Sequence, residues 1–277
     1  MRILMMGDIV GKPGYRIVSH GLPALIATHE IDLVIANAEN AADGSGLTPS
    51  IYKTLVTAGV DCITLGDHIY RRREILKTLK TETNIVKPAN FPREAAGQTW
   101  TTVTARNQQQ VAVISLLGRV FMRPVDCPWH AIDRVLGEIP THIRTIMVDF
   151  HAEATSDKQL MGRYLDGRVS AVLGTHTHVP TADEQIFPGG TAFQCDIGMT
   201  GPYQSILGRK IDPVRQTTLS FLPERFEVAT EDVRLSGTLV DTDPESGKAT
   251  AIKRLMVHWD DLADLEVVTS KSNSLGS

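Results

Sequence analysis

The side chains with the most chemistry to offer are Asp8, Glu39, Asn40, Asp67, His68, His151, His176 and His178. Carboxylates, an amide and imidazoles together make a mixed oxygen and nitrogen donor set, which suits Mn, Fe, Zn or related first-row ions, whereas Mg and Ca prefer oxygen alone. A pair of such ions about 3.5–4 Å apart can hold both ends of a phosphodiester and activate a water between them. An imidazole that titrates near neutrality suits proton donation to a departing alkoxide.

Taken one at a time these residues say little. Asp8 and Glu39-Asn40 read equally well as helix caps or solvated loop residues, and His151 as a hydrogen-bonded histidine. His176-Thr177-His178 is a stronger signal, because alternate positions of an extended segment point to the same side. Their placement is what joins them. Each group follows a short apolar run: 2–6, 32–38, 61–65, 144–150 and 169–173. With 111–117, these runs are brief, rich in β-branched residues and bounded by polar residues or Gly, so they read as buried strands. In a largely parallel sheet such strand ends converge on one edge, where open α/β sheets place their ligand crevices. The glycines in MGD, LGDH and LGTHTH let the backbone turn sharply beside a ligand.

Between the strands, Thr48-Pro49 announces a helix that Gly59 stops, and other helices are expected near 15–28, 70–82, 128–138 and 156–165. Interleaved strands and helices imply an α/β fold. QTWTTVTA and QVAVISLL, either side of 106–109, form a hairpin, and from about 225 the pattern turns to strands, RFEVAT, RLSGTLVDT and ATAIKRLMVHW. The polar end, 269–277, is expected to be disordered, leaving 1–268 as a single domain.

A chain of 277 residues with 42% hydrophobic content can bury a large core. With 28 basic against 32 acidic residues and a net charge of −4, it offers no broad footprint for extended nucleic acid, although a short nucleotide in a pocket stays compatible. The apolar start is broken at Asp8, so it is neither signal peptide nor membrane span, and a cytoplasmic protein without membrane partners is expected. Cys62, Cys127 and Cys195 are odd in number and widely spaced, and read as small core residues.

The segments MRILMMGDIVGKPG, IANAENAADGSGLT, TLGDHIYRRREI, KPANFP, VDFHAEATSDK, GTHTHVPTAD, DIGMTGPYQSILG and LPERFEVA span most of residues 1–230. In them the chain resembles the calcineurin-like metallophosphoesterases, and within these the YmdB-like family of 2',3'-cyclic-nucleotide 2'-phosphodiesterases. The resemblance implies a four-layer α/β/β/α sandwich, with the β-rich C-terminal segment completing the second sheet. It also implies a dinuclear site of first-row ions, divalent or trivalent, Fe or Mn. Asp8, Glu39, Asn40 and His178 would hold one ion and Glu39, Asp67, His151 and His176 the other, with Glu39 bridging. A bridging hydroxide would attack phosphorus, and His68 would protonate the leaving oxygen, turning 2',3'-cyclic nucleotides into 3'-nucleotides. Two other functions fit the same residues: a broader phosphodiesterase or phosphomonoesterase, and a metal-bound nucleotide sensor with weak turnover. A homo-oligomer is expected.

One position departs from the family, which has Asn where this chain has Asp67. A carboxylate there should tighten metal binding and reduce Lewis acidity. Of Arg71, Arg72 and Arg73, at most one can face a substrate from a helix start, since neighbours diverge by about 100°; a solvated basic face is the alternative. Segment 198–208 reads as a loop near the site or an oligomer contact. His20, His29, His130, His142 and His258 have no ligand-like company and receive no role.

Overall fold

The computed structural model describes residues 1–262, so the tail expected at 269–277 and the domain limit at 268 lie outside the described residues. The chain runs β1 (Arg2–Met6), β2 (Asp8–Ile9), α1 (Gly11–Thr28), β3 (Leu33–Asn37), α2 (Pro49–Ala58), β4 (Cys62–Thr64), α3 (Ile75–Thr81) and β5 (Ile85–Val86). It continues through β6 (Trp100–Thr104), β7 (Gln110–Leu117), α4 (Pro128–Glu138), β8 (Thr145–His151), α5 (Thr155–Tyr164), β9 (Ala171–Thr175), β10 (Gln185–Ile186) and β11 (Ala192–Gln194). The last elements are β12 (Met199–Pro202), α6 (Ile211–Ser220), β13 (Val233–Thr242) and β14 (Ala249–His258), before a short 3-10 turn.

The strands form two sheets. The first has the order β2-β12-β13-β1-β3-β4-β5, with β14 also paired to β13, and the second the order β10-β11-β9-β8-β7-β6. Strands β1, β3, β4 and β5 run parallel, as do β7, β8, β9 and β11. Side-chain alternation sorts the apolar residues into three layers. Leu4 and Met6 of β1 pack with Ile17, Leu22 and Leu25 of α1, whereas Ile3 and Met5 meet Met147 and Leu173 between the sheets. On β8, Ile146, Val148 and Phe150 pack with residues of α4 and α5. The layers are therefore helix, sheet, sheet, helix.

The same period of two delivers the chemistry. Asn37 continues the inward series Leu33, Ile35; Thr64 follows Cys62; Asp149 and His151 follow Met147; Thr175 follows Ala171 and Leu173. Polar side chains thus enter the inter-sheet layer at the carboxyl ends of four parallel strands, and all five are buried.

The strong start and stop signals hold. Thr48 Oγ1 accepts from Ile51 N at 3.3 Å, Pro49 opens α2, and Gly59 closes it with a left-handed φ of 111°. Other expectations need correcting. The helix expected over 70–82 begins only at Ile75, because residues 67–74 form turns in which the carbonyls of His68 and Arg72 accept from Arg71 N and Ile75 N. RFEVAT is not a strand: it is mostly exposed, and only Val228 bridges, to Arg209. The C-terminal strands join the first sheet, not the second, since β13 pairs antiparallel with β1 from Arg2↔Asp241 to Met6↔Gly237. Segment 198–208 begins as strand β12, between β2 and β13, before it becomes a loop. Cys62 and Cys195 are buried, but Cys127 is half-buried before α4. Among the described residues no helix is long and apolar enough to cross a membrane.

Candidate metal centre

Glu39, Asp67, His151 and His176 each offer a ligand atom within 4.8 Å of the other three. Ligands about 2.0–2.2 Å from one ion stand at most about 4.4 Å apart, so little contraction is needed to close on a metal. His151 Nε2 is the hub, 3.1 Å from Glu39 Oε1, 3.3 Å from Asp67 Oδ1 and 3.0 Å from His176 Nδ1. Asp67 Oδ1 is buried yet makes no hydrogen bond, and two imidazole nitrogens 3.0 Å apart have room for one proton between them. Lone pairs outnumber protons here, and a bound cation resolves that shortage. The residues fit a metal.

A second set adjoins the first through Glu39. The Asn40 amide nitrogen lies 3.3 Å from Asp8 Oδ1, 3.4 Å from Glu39 Oε1 and 3.2 Å from His178 Nε2. His178 Nδ1 meets the Leu207 carbonyl at 3.0 Å, which leaves Nε2 facing Asp8. Asp8 Oδ2 accepts from His176 N at 3.0 Å, and burial raises its pKa. A half-turn of the Asn40 amide would bring its oxygen into this set and its N–H toward His68.

His68 stands beside both sets. Its backbone N–H donates to Glu39 Oε2 at 2.9 Å, and Nδ1 lies 2.7 Å from Asn40 Oδ1. Burial lowers its pKa, but its hydrogen bond and charge contact with Glu39 prevail and raise it. The ring opens onto a cavity of about 260 Å³ also lined by Glu153, His176, Thr177, His178 and Arg209. The eight residues singled out from the sequence are therefore gathered in one place. The arginine triplet is not: Arg71, Arg72 and Arg73 do not line the cavity, and Arg72 pairs with Asp43 at 3.0 Å.

Residues 4–255 match the YmdB-like protein family. The chain belongs to the YmdB-like family. It is 45% identical over 260 residues to the 2',3'-cyclic-nucleotide 2'-phosphodiesterase of Bacillus subtilis, covering 94% of this chain and 98% of the relative. A crystal structure of a hypothetical protein from Thermus thermophilus is 40% identical, with a TM-score of 0.86 over 93% of this chain and 99% of that one. A phosphatase structure from Mycoplasma pneumoniae is 30% identical, with a TM-score of 0.87 over 93% of each chain. The four layers are those of the metallophosphoesterase fold.

Beneath the centre of this YmdB-like chain lies a carboxylate that does not reach it. Asp149 Oδ1 accepts from Thr175 Oγ1 at 2.7 Å, while Oδ2 accepts from Asn37 Nδ2 at 3.0 Å and from the Thr64 hydroxyl. Burial pushes its pKa up to about 6. Thr175 Oγ1, its one proton given to Asp149, is 2.8 Å from His151 Nδ1 and must accept from it. His151 Nε2 is thereby aimed at the cluster. Burial lowers the pKa of His151, but the carboxylates of Glu39 and Asp67 beside it raise it well above the usual range. Glu39 is pulled well below its own range, as His151 and His68 outweigh its burial. His176 goes the other way, down to about 4, through burial and the charge on His151.

Residues that the sequence reading missed complete the surroundings. Glu153 Oε2 is 3.2 Å from His176 Nε2, leaving Nδ1 for the cluster. Arg209 donates to the carbonyls of Asp43 and Phe226 at 3.0 and 3.1 Å and to that of Gly44, none of them a carboxylate. Glu153 sits two positions past His151 and could have been suspected from that spacing; Arg209, in a polar loop, left no signal.

Proposed function

We propose that this chain is a metal-dependent phosphoesterase that hydrolyses 2',3'-cyclic nucleotides to 3'-nucleotides. The observation that carries this reading is the convergence of the buried Glu39 and His151 with the half-buried Asp67 and His176, around an Asp67 Oδ1 that makes no hydrogen bond, beside an imidazole open to the cavity. The substrate class follows from the name of the Bacillus subtilis relative. In this reading Glu39, Asp67, His151 and His176 hold one first-row ion, and Asp8, Asn40 and His178 hold a second together with Glu39. Bound there, such ions would supply an activated water and offset charge on the phosphoryl oxygens.

The chain's own residues do the rest. Protonated, as its contact with Glu39 favours, His68 can donate through Nδ1 to Glu39 Oε1, 3.3 Å away, and pass its Nε2 proton to the 2'-oxygen as that oxygen's bond to phosphorus breaks, leaving the neutral imidazole. Water contributes the new P–O bond, and the 3' ester survives. Arg209 adds a cation at the cavity mouth that can meet a phosphate oxygen.

The test combines elemental analysis of the purified protein with turnover of 2',3'-cyclic AMP, an aryl phosphodiester and an aryl phosphomonoester, and with identification of the nucleotide product. Preferred turnover of the cyclic nucleotide to the 3'-phosphate is expected. A preference for the monoester would point to the broader phosphatase, and bound nucleotide without turnover to a sensor. His68→Ala should lower turnover about 10²–10⁴-fold with Mn²⁺ binding retained; undiminished turnover would remove His68 from the acid's role.

A further inference from the structure

Beside the centre lies a buried ion pair that belongs to neither ligand set. Lys158 on α5 and Asp196, two residues beyond β11, form an ion pair at 2.7 Å with each side chain 1% exposed. Asp196 Oδ2 also accepts from Thr177 N at 3.1 Å and from Thr177 Oγ1 at 2.7 Å, while Oδ1 accepts from Gly198 N at 2.8 Å. Four donors thus converge on one buried carboxylate, an arrangement that requires its cationic partner at this depth.

Thr177 stands between His176 and His178. Both histidines have left-handed backbones, with φ of 99° and 65°, which residues with a side chain hold only where the surroundings impose it. Strand β9 ends at Thr175, so the sheet ladder no longer fixes them. What grips the chain is Asp196, at Thr177 through its carboxylate and at Thr181 through its backbone, since Thr181 N donates to Asp196 O at 2.9 Å and Asp196 N to Thr181 Oγ1 at 2.9 Å. Lys158 carries the constraint onto α5, which starts four residues after His151.

We propose that Lys158, Asp196 and Thr177 form a positioning clamp that aims His176 and His178 at the metal centre and registers them against His151. The clamp rests on the metal-binding reading above, but not on turnover. Without it the segment between the two imidazoles loses both its hydroxyl and amide anchors, and the ligands lose their geometry before they lose their identity.

The test is titration of the metal-depleted full chain with Mn²⁺, free Mn²⁺ being read by electron paramagnetic resonance. Thr177→Val keeps the side-chain shape but removes the hydroxyl, Thr177→Ser keeps the hydroxyl, and Asp196→Ala removes the carboxylate. Thr177→Val and Asp196→Ala should lower Mn²⁺ affinity about 10-fold or more, with melting curves confirming folded protein, and Thr177→Ser should bind as the parent does. Parent-like binding by Thr177→Val overturns the clamp, as does equal loss in the Val and Ser variants. If Asp196→Ala fails to fold, the Val and Ser pair decides alone. A parent that binds Mn²⁺ but hydrolyses nothing refutes only the proposed function, whereas a parent that binds none overturns both.

Discussion

Gly66→Ala should damage the metal centre by adding a single methyl group. A Cβ built on Gly66 would stand 2.3 Å from His151 Cδ2, 2.5 Å from His151 Cγ and 2.5 Å from Glu39 Oε2. Carbon atoms in contact settle near 3.5–4.0 Å, so either the backbone or the ligands must yield by about 1 Å. Neither side chain has slack. His151 is held through Thr175 at 2.8 Å, and Glu39 Oε2 accepts from His68 N at 2.9 Å. A displacement of about 1 Å at a reacting centre costs about 10²-fold in rate, and a loss of this order is expected in turnover with weaker Mn²⁺ binding.

Gly137→Ala is the matched control. It lies in the last turn of α4, and an added Cβ would meet nothing within 4 Å. That variant should keep full activity and gain up to about 0.5–1 kcal/mol of stability, because Ala loses less backbone freedom in a helix. Mn²⁺ titration, steady-state kinetics and thermal melts on both variants separate a site effect from a fold effect. Gly66→Ala binding Mn²⁺ and turning over within about threefold of the parent would refute the packing reasoning.

Arg209→Gln should raise KM for a phosphodiester about 10-fold or more with a smaller change in kcat, as expected for loss of a charged hydrogen bond to substrate; an unchanged KM would show that Arg209 only ties its loops together. Mn²⁺ affinity should rise about 10-fold per pH unit in the neutral range, because His151, whose pKa is raised, must surrender one proton for its Nε2 to bind metal, and the slope should vanish above that raised pKa. His176, already neutral above about pH 4, adds nothing to this slope, so titrations at several pH values that gave a slope of two would contradict the assignment. Asp67→Asn should still bind metal but about 10-fold more weakly, as read by the same titrations; affinity equal to the parent's would deny Asp67 a ligand's charge.

The candidate ligands were legible because these residues sit where local patterns end. Apolar runs rich in β-branched residues marked β1, β3, β4, β8 and β9, and the polar residue closing each run had to fall at a strand end. Residues that act from the next layer out were hidden for the opposite reason. Asp149 lies inside an apolar run, where an acid looks like an interruption, although it shares the parity of His151. Lys158 and Asp196 are 38 residues apart, and no periodicity in either segment announces their meeting. The helix expected at 70 was lost to turns that hold Asp67 and His68 at the strand end, and α6, none of whose residues is fully buried, was not read as a helix. The sheet that receives β13 was also beyond local reading, since pairing with β1 depends on residues more than 200 positions away.

The carboxylate at position 67 changes the balance of charge at the centre. With Asn there, Asp8 and Glu39 would be the only carboxylates among the proposed ligands; Asp67 makes three. In the proposed two-ion site this would lower the net charge offered to a phosphodiester by one unit. Each ion should be held more tightly and should polarise water less. The site's own charges point the same way, for Glu39 and Asp67 raise the pKa of His151 where burial alone would lower it. In the proposed centre an ion would take the place of a proton on His151 Nε2, and would meet a donor set with one more negative charge than the Asp67→Asn variant offers. Arg209, with its guanidinium committed only to carbonyls, is the group at the cavity mouth able to return a positive charge to the substrate side.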